Sequence, residues 1–147
     1  MSSDLLHGSA GVGKSALAQF FAGSCESEGR LGGSFFFNCA DPKRSSWHGL
    51  LPTIAYQLAA SVPGLLLPVQ QAIEHDKLIV GRAMNWQFQK LIIEPFRQIT
   101  HLPSIPIIIL DGLDECADHG VQQQIARQSA IRREHIDDDH HEVSFRA

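Results

Sequence analysis

Apolar positions along the chain switch between helical spacing and short unbroken runs, and the switching predicts a mixed α/β fold. Residues 4–7 read as a short strand, and since an inner parallel strand is usually longer, the chain is expected to begin inside it. A helix follows over 13–27, with Leu17, Phe20, Phe21 and Cys25 on its inward face. Residues 29–33 are a glycine-rich loop. Ser34-Phe35-Phe36-Phe37-Asn38 is an aromatic run that predicts a buried strand; three phenylalanines there are read as sheet core rather than as a platform for stacking bases. Residues 41–46 are a polar loop in which Ser45 or Ser46 can cap the next helix. That helix spans 47–61, presents Leu50, Leu51, Ile54, Ala55 and Leu58 on one face, and carries Pro52 in its early turns. After a break at Val62-Pro63-Gly64, a helix over 65–76 carries Leu66, Val69 and Ile73, and 77–82 is a connection. The longest helical pattern runs over 85–100 with Phe88, Leu91, Ile92, Phe96 and Ile99 on one face; Pro95 inside it predicts a kink near Leu91. Residues 105–110 are β-branched and predict a buried parallel strand ending in Asp111. A polar helix over 120–134 and a loose acidic and histidine-containing tail over 135–147 complete the chain, and no internal repeat is visible.

Composition narrows the picture only slightly. The 147 residues suit one domain with its own core, and 44% hydrophobic with 19% charged residues is ordinary for a globular chain. A formal charge of −4 gives no general attraction to nucleic acid or to an anionic membrane. Cys25, Cys39 and Cys116 are odd in number and lack C-x-x-C spacing, which suggests neither a disulfide framework nor a zinc site and favours a reducing, cytoplasmic setting. Met1-Ser2-Ser3-Asp4 leads straight toward the first motif and leaves no room for a signal peptide, and no apolar run is long enough to span a bilayer. The histidines and aspartates of 135–147 are metal-ligand types, but no ligand spacing accompanies them.

Two motifs carry chemistry. Gly8-Ser9-Ala10-Gly11-Val12-Gly13-Lys14-Ser15 fits G-x-x-x-x-G-K-[ST] at every position. Its glycines let successive backbone N–H groups turn toward one anion, Lys14 brings a charge to the outer phosphates, and the Ser15 hydroxyl is placed to ligate Mg²⁺. The helix that follows sets its positive end under the phosphates. The second motif is the strand ending Asp111-Gly112-Leu113-Asp114-Glu115. Asp111 is placed to hold Mg²⁺, as the acid of a Walker B strand does. Glu115 is the first candidate to orient and deprotonate an attacking water, with Asp114 the second. Lys43 and Arg44 also offer charge to a phosphate, although a solvated pair is the plainer reading.

These residues, with Ser34-Phe35-Phe36-Phe37 and Pro52-Thr53-Ile54-Ala55-Tyr56-Gln57-Leu58 between them, resemble the NACHT module of signal-transduction NTPases, and most closely the fungal set with nephrocystin-like N-terminal NACHT domains. The resemblance covers about residues 5–124. It implies a P-loop NTPase, a three-layer α/β/α fold with a parallel sheet, that binds ATP or GTP with Mg²⁺ and hydrolyses it slowly as a switch controlling assembly. Self-association through this module is implied, as is a link to non-self recognition and cell death in the fungal members. The family also carries chain before the first strand, and beyond the Walker B helix a strand ending in Ser-Arg-Pro-like residues whose arginine senses the γ-phosphate. Val143-Ser144-Phe145-Arg146 only echoes that strand. The winged-helix segment, effector and repeats have no counterpart, so residues 1–134 are expected to be a partial NACHT domain truncated at both ends.

The sensing strand of the family lies between the phosphate-loop strand and the Walker B strand. Residues 142–145 are short and polar for that buried place, so open strand edges and weak turnover are expected. Two other readings remain: a non-catalytic remnant of such a module, and a P-loop kinase for a small molecule. The kinase would need an arginine-rich lid, for which Arg127, Arg132 and Arg133 are the candidates, and a solvated helix face explains these more simply. A Ras-type GTPase would need glycine where Asp114 stands, and no N-K-x-D is present. Nucleic-acid binding has no basic stripe in its favour.

Overall fold

The computed structural model describes residues 14–38, 40–112, 118–131 and 144–146. The expected strand over 4–7 lies outside them. Among the described residues five helices accompany a parallel sheet, so the mixed α/β expectation holds. The elements are α1 (Lys14–Ser27), β1 (Leu31–Phe36), α2 (Leu50–Ser61), α3 (Leu66–His75), α4 (84–97), β2 (Ile107–Asp111), α5 (His119–Ile131) and β3 (Ser144–Arg146).

β1 and β2 pair in parallel, with Ser34 opposite Ile109 and Phe36 opposite Asp111. β3 adds three residues in parallel to the other edge of β2, with Ser144 opposite Ile107 and Arg146 opposite Ile109. Residues 144–146 were expected in a loose tail, too short and polar to serve. Their strand shows that ladder pairing uses the backbone, and β2 has N–H and C=O groups on that edge that need partners.

Helices cover both faces of the sheet. Ile107 and Ile109 pack with Ala22 and Cys25 of α1, while Ile108 and Leu110 join Phe35, Phe37 and the apolar faces of α2 and α4 in the larger core. α2 buries the face read from the sequence: Leu50, Leu51, Ile54, Ala55 and Leu58. α4 buries Phe88, Leu91, Ile92 and Phe96 as expected, and Ile99 just beyond it. Pro95 has no N–H to offer the Leu91 carbonyl, and the helix widens into a π turn over Gln89–Ile93, closed by Glu94 N–H to the Gln89 carbonyl, instead of simply kinking.

Two helical faces differ from expectation. In α1 the inward residues are Ala22 and Cys25; Phe20 is 77% exposed and Phe21 is also exposed. Ala22 and Cys25 are the residues of α1 that pack against Ile107 and Ile109. The side chain of Leu17 lies outside the described residues. In α3 the chain is anchored by Leu65 and Val69, while Leu66 and Ile73 face outward.

The strand read as 34–38 begins three residues earlier. Gly32 and Gly33, read as loop, lie within β1 because α2 crosses directly over them. A Cβ on Gly32 would lie 2.7 Å from the Pro106 Cβ and 2.8 Å from Leu58 Cδ2, and one on Gly33 would lie 2.9 Å from Gln57 Oε1. That closeness lets α2 seal the outer edge of β1. Gln57 Oε1 accepts from Ser34 N–H at 2.6 Å and Gln57 Nε2 donates to Ser34 O at 3.1 Å, as a neighbouring strand would. Ser61 Oγ donates to Gly32 O at 3.0 Å. The edge is therefore closed by side chains. Gln57→Ala removes both amide bonds and leaves the partly buried Ser34 groups short of partners. It should cost about 1–3 kcal/mol in denaturant melts, while Tyr56→Ala, at an exposed neighbour on the same helix, should cost less than about 1 kcal/mol.

Candidate functional site

α1 ends in a Schellman turn: Arg30 N–H donates to Cys25 O at 2.8 Å and Gly29 N–H to Glu26 O at 2.9 Å, with Gly29 at φ +69°. The chain then reverses into β1, and Ile107 N–H donates to Arg30 O at 2.8 Å at the amino end of β2. Since α1 ends beside the start of β2 and packs along it, the helix runs antiparallel to the strand. Fourteen residues of helix span about 20 Å and five of strand about 17 Å. The Lys14 end of α1 therefore lies toward the carboxyl end of β2, where Asp111 stands.

Of the residues expected to bind phosphate, Gly8, Ser9, Ala10, Gly11, Val12 and Gly13 lie outside the described residues. Lys14 and Ser15 form the first turn of α1. Asp111 is the last residue of β2 and half-buried. Asp114 and Glu115 lie outside the described residues, as does Cys116. The first turn of α1, with the Lys14–Ser15 backbone, thus lies toward the end of β2 that carries Asp111. The structure gives no placement for the water-orienting acids.

Asp111 is held by its main chain. Phe37 N–H donates to Asp111 O at 2.8 Å, extending the β1–β2 ladder past Phe36. Gly112 follows at φ +70°, and a Cβ there would lie 2.8 Å from the Phe37 carbonyl oxygen. Glycine is needed at this point both for its dihedral and for the close approach. The sequence shows it only as the second residue of D-G, a turn signal that its neighbours do not explain.

β1 leaves the same edge through a closed loop. Asn38 N–H donates to Arg44 O at 3.0 Å, Arg44 N–H to Asp41 O at 2.9 Å, and Ser45 N–H to Asp41 O at 2.8 Å. The Asp41 carboxylate takes Lys43 N–H at 2.9 Å and Arg44 Nε at 2.8 Å. The hydrogen bond from Arg44, then that from the Lys43 amide, holds its pKa below the ordinary carboxylate value. Ser46, one of the two caps expected, opens the next turn by accepting from His48 N–H at 3.3 Å.

A groove of about 400 Å³ between α3 and α4 is lined by His75, Asp76, Trp86, Lys90 and Glu94 among others. Its lysine is committed: Lys90 Nζ lies 2.7 Å from Glu94 Oε1 and 5.2 Å above the Trp86 ring. The strand ends, where ligands of open parallel sheets bind, are the better candidate for an anion. Among the described residues no group of three or more His, Cys, Asp or Glu side chains could hold a metal ion, and no helix is long and apolar enough to cross a membrane.

The lowered Asp41 pKa ties the loop to pH. A depressed carboxylate adds stability that is fully present above its ordinary value of 3.8 and is lost as pH falls through the folded value. In an NMR titration the Lys43 and Arg44 amide resonances should leave their neutral-pH positions with a midpoint below 3.8. A midpoint above 3.8 would contradict the closed loop.

Comparison with protein families matches residues 2–143 to the family described as Nephrocystin 3, N-terminal. No curated protein and no solved structure matches the chain. With nearly its whole length matched, the chain belongs to the nephrocystin 3 N-terminal family.

Proposed function

We propose that this chain is a NACHT-type P-loop module that binds ATP or GTP with Mg²⁺ and hydrolyses it slowly, serving as the switch of a cytoplasmic signalling protein. The observation that carries the reading is directional. The eight-residue phosphate-loop pattern of 8–15 runs into α1, and α1 runs antiparallel to β2 so that its first turn and Asp111 share one edge. The sheet supports it too. A three-layer α/β/α P-loop fold sets the sensing strand against the Walker B strand, on the side away from the strand carrying the phenylalanines, and β3 pairs with β2 on that side.

The donor set fits the chemistry. Residues 8–13 supply backbone N–H groups to the phosphates, and Lys14 supplies charge. Ser15 and Asp111, a hydroxyl and a carboxylate, are hard oxygen ligands suited to Mg²⁺, which when bound neutralises charge on the β- and γ-phosphates. Glu115 orients and deprotonates the water, with Asp114 as its alternate. Partners follow from the switch: the nucleotide itself, and further copies of the module in an assembly.

Lys14→Ala should abolish binding of fluorescent ATP and GTP analogues in Mg²⁺, while Asp111→Asn should flatten the Mg²⁺ dependence of binding. Equal affinities for wild type and Lys14→Ala would sink the assignment. Glu115→Gln should keep binding and lower hydrolysis by roughly two orders of magnitude. If Asp114→Asn abolishes turnover and Glu115→Gln does not, the two acids exchange roles.

A further inference from the structure

We infer that the groove between α3 and α4 is a docking site for an uncharged, proline-rich segment of a partner protein, held in the extended polyproline II conformation. The site is separate from the strand ends and uses none of the residues assigned to nucleotide.

Shape comes first. One wall is Pro68, Gln71, Ala72, His75 and Asp76, which follow one another at helical spacing along one side of α3. The other is Trp86, Lys90, Glu94, Pro95 and Gln98, again at helical spacing along α4. The cavity is thus a trough that follows both helices rather than a round hole. At the rise of a helix, Pro68 to Asp76 gives it a length of about 12 Å. A polyproline II chain rises about 3.1 Å per residue, so about four residues fill it. The enclosed volume of about 400 Å³ is that of a ligand site. Lys90 and Glu94 belong to the π turn over Gln89–Ile93 and its closing residue, a local widening of the kind that recurs at functional sites.

Chemistry then selects the occupant. Trp86 is 48% exposed in spite of its size, and it lies at the end of the trough marked by Asp76. Its side chain donates to the Asp76 carboxylate, which also takes Leu78 N–H at 3.1 Å and Arg82 Nε at 3.0 Å. The indole is therefore a fixed plate, and a flat apolar surface of that kind receives a proline ring. The charges of the groove are met in pairs, Asp76 by Arg82 and Glu94 by Lys90 at 2.7 Å. A charged ligand would lose hydration there and find no free partner. The polar groups left over are Gln71, His75 and Gln98, whose side chains make no hydrogen bond among the described residues. Amides and an imidazole donate to carbonyl groups, and a proline-rich chain offers carbonyls with no N–H of its own. Strand addition needs a sheet edge, whereas this groove lies between helices. An amphipathic helix needs an apolar floor, and only Pro68, Ala72, Trp86 and Pro95 are apolar here.

The test titrates the full chain with decaproline, followed by calorimetry and by tryptophan emission, with glycine-serine, oligolysine and oligoglutamate decapeptides beside it. Decaproline should saturate below about 1 mM and move the emission to shorter wavelength as Trp86 is covered. Trp47, the other tryptophan, packs against the core and should not respond. Trp86→Ala should weaken decaproline at least about tenfold, and Gln98→Ala about threefold. Trp86→Phe should hold the affinity within about threefold while the emission shift disappears. Failure of decaproline to saturate would overturn the inference. So would an unchanged affinity in Trp86→Ala, an emission shift that survives in Trp86→Phe, or any of the other decapeptides binding as tightly. If Trp86→Ala does not melt cooperatively, Trp86→Phe and Gln98→Ala decide.

Discussion

β2 is buried on both faces, and the rest of the architecture answers that constraint. Ile107, Ile108, Ile109 and Leu110 are all almost fully shielded from solvent. A strand with no polar face needs a helix on each side and a neighbouring strand on each edge, or its main-chain groups go unpaired. α1 covers Ile107 and Ile109, and α2 with α4 covers Ile108 and Leu110. β1 and β3 take the two edges. Parallel order then forces the long crossovers that bring each chain segment back to the same end. Among the described residues, β1 and β3 consequently end on the same side as Asp111.

The sheet stops at β1 by a different device. Gln57 turns its amide onto the Ser34 backbone and Ser61 takes the Gly32 carbonyl, so α2 both packs the face and closes the edge. Glycines at 32 and 33 are the condition for that approach. At the other end of β1 the main chain of Phe37 continues the ladder to Asp111, and the loop that follows is closed on itself. β1 is thus closed along its outer side by side chains of α2 and at its carboxyl end by main-chain bonds of the loop.

Where side-chain period and burial coincide, the sequence was enough: the face of α2 and the interior of β2 were legible residue by residue, and so were Phe88, Leu91, Ile92 and Phe96 of α4. It misled where a neighbour set the distance. Gly32-Gly33 reads as loop, but it is strand because a helix passes over it. Phe20 and Phe21 read as core, but Ala22 and Cys25 take the inner positions of α1 against Ile107 and Ile109. Gln87 has no sequence signal at all. It is fully buried, and its Nε2 donates to the carbonyls of Val80 and Arg82 at 2.9 Å to hold the turn before α4. Of the site, Lys14, Ser15 and Asp111 were singled out by two separate motifs, and the structure adds only that the first turn of α1 lies toward the end of β2 where Asp111 stands. The closed loop was not legible beyond its polarity, because its shape comes from main-chain bonds that no residue pattern announces.

The central claim is that the carboxyl edge shared by α1 and β2 is where a nucleoside triphosphate binds. Amide hydrogen exchange of the full chain, with and without saturating Mg²⁺-ATP or Mg²⁺-GTP, addresses it directly. The account predicts added protection in peptides covering the first turn of α1 and the Asp111–Gly112 junction, with α3 unchanged. No change at that edge with either nucleotide, or protection confined to the α3–α4 groove, would contradict it.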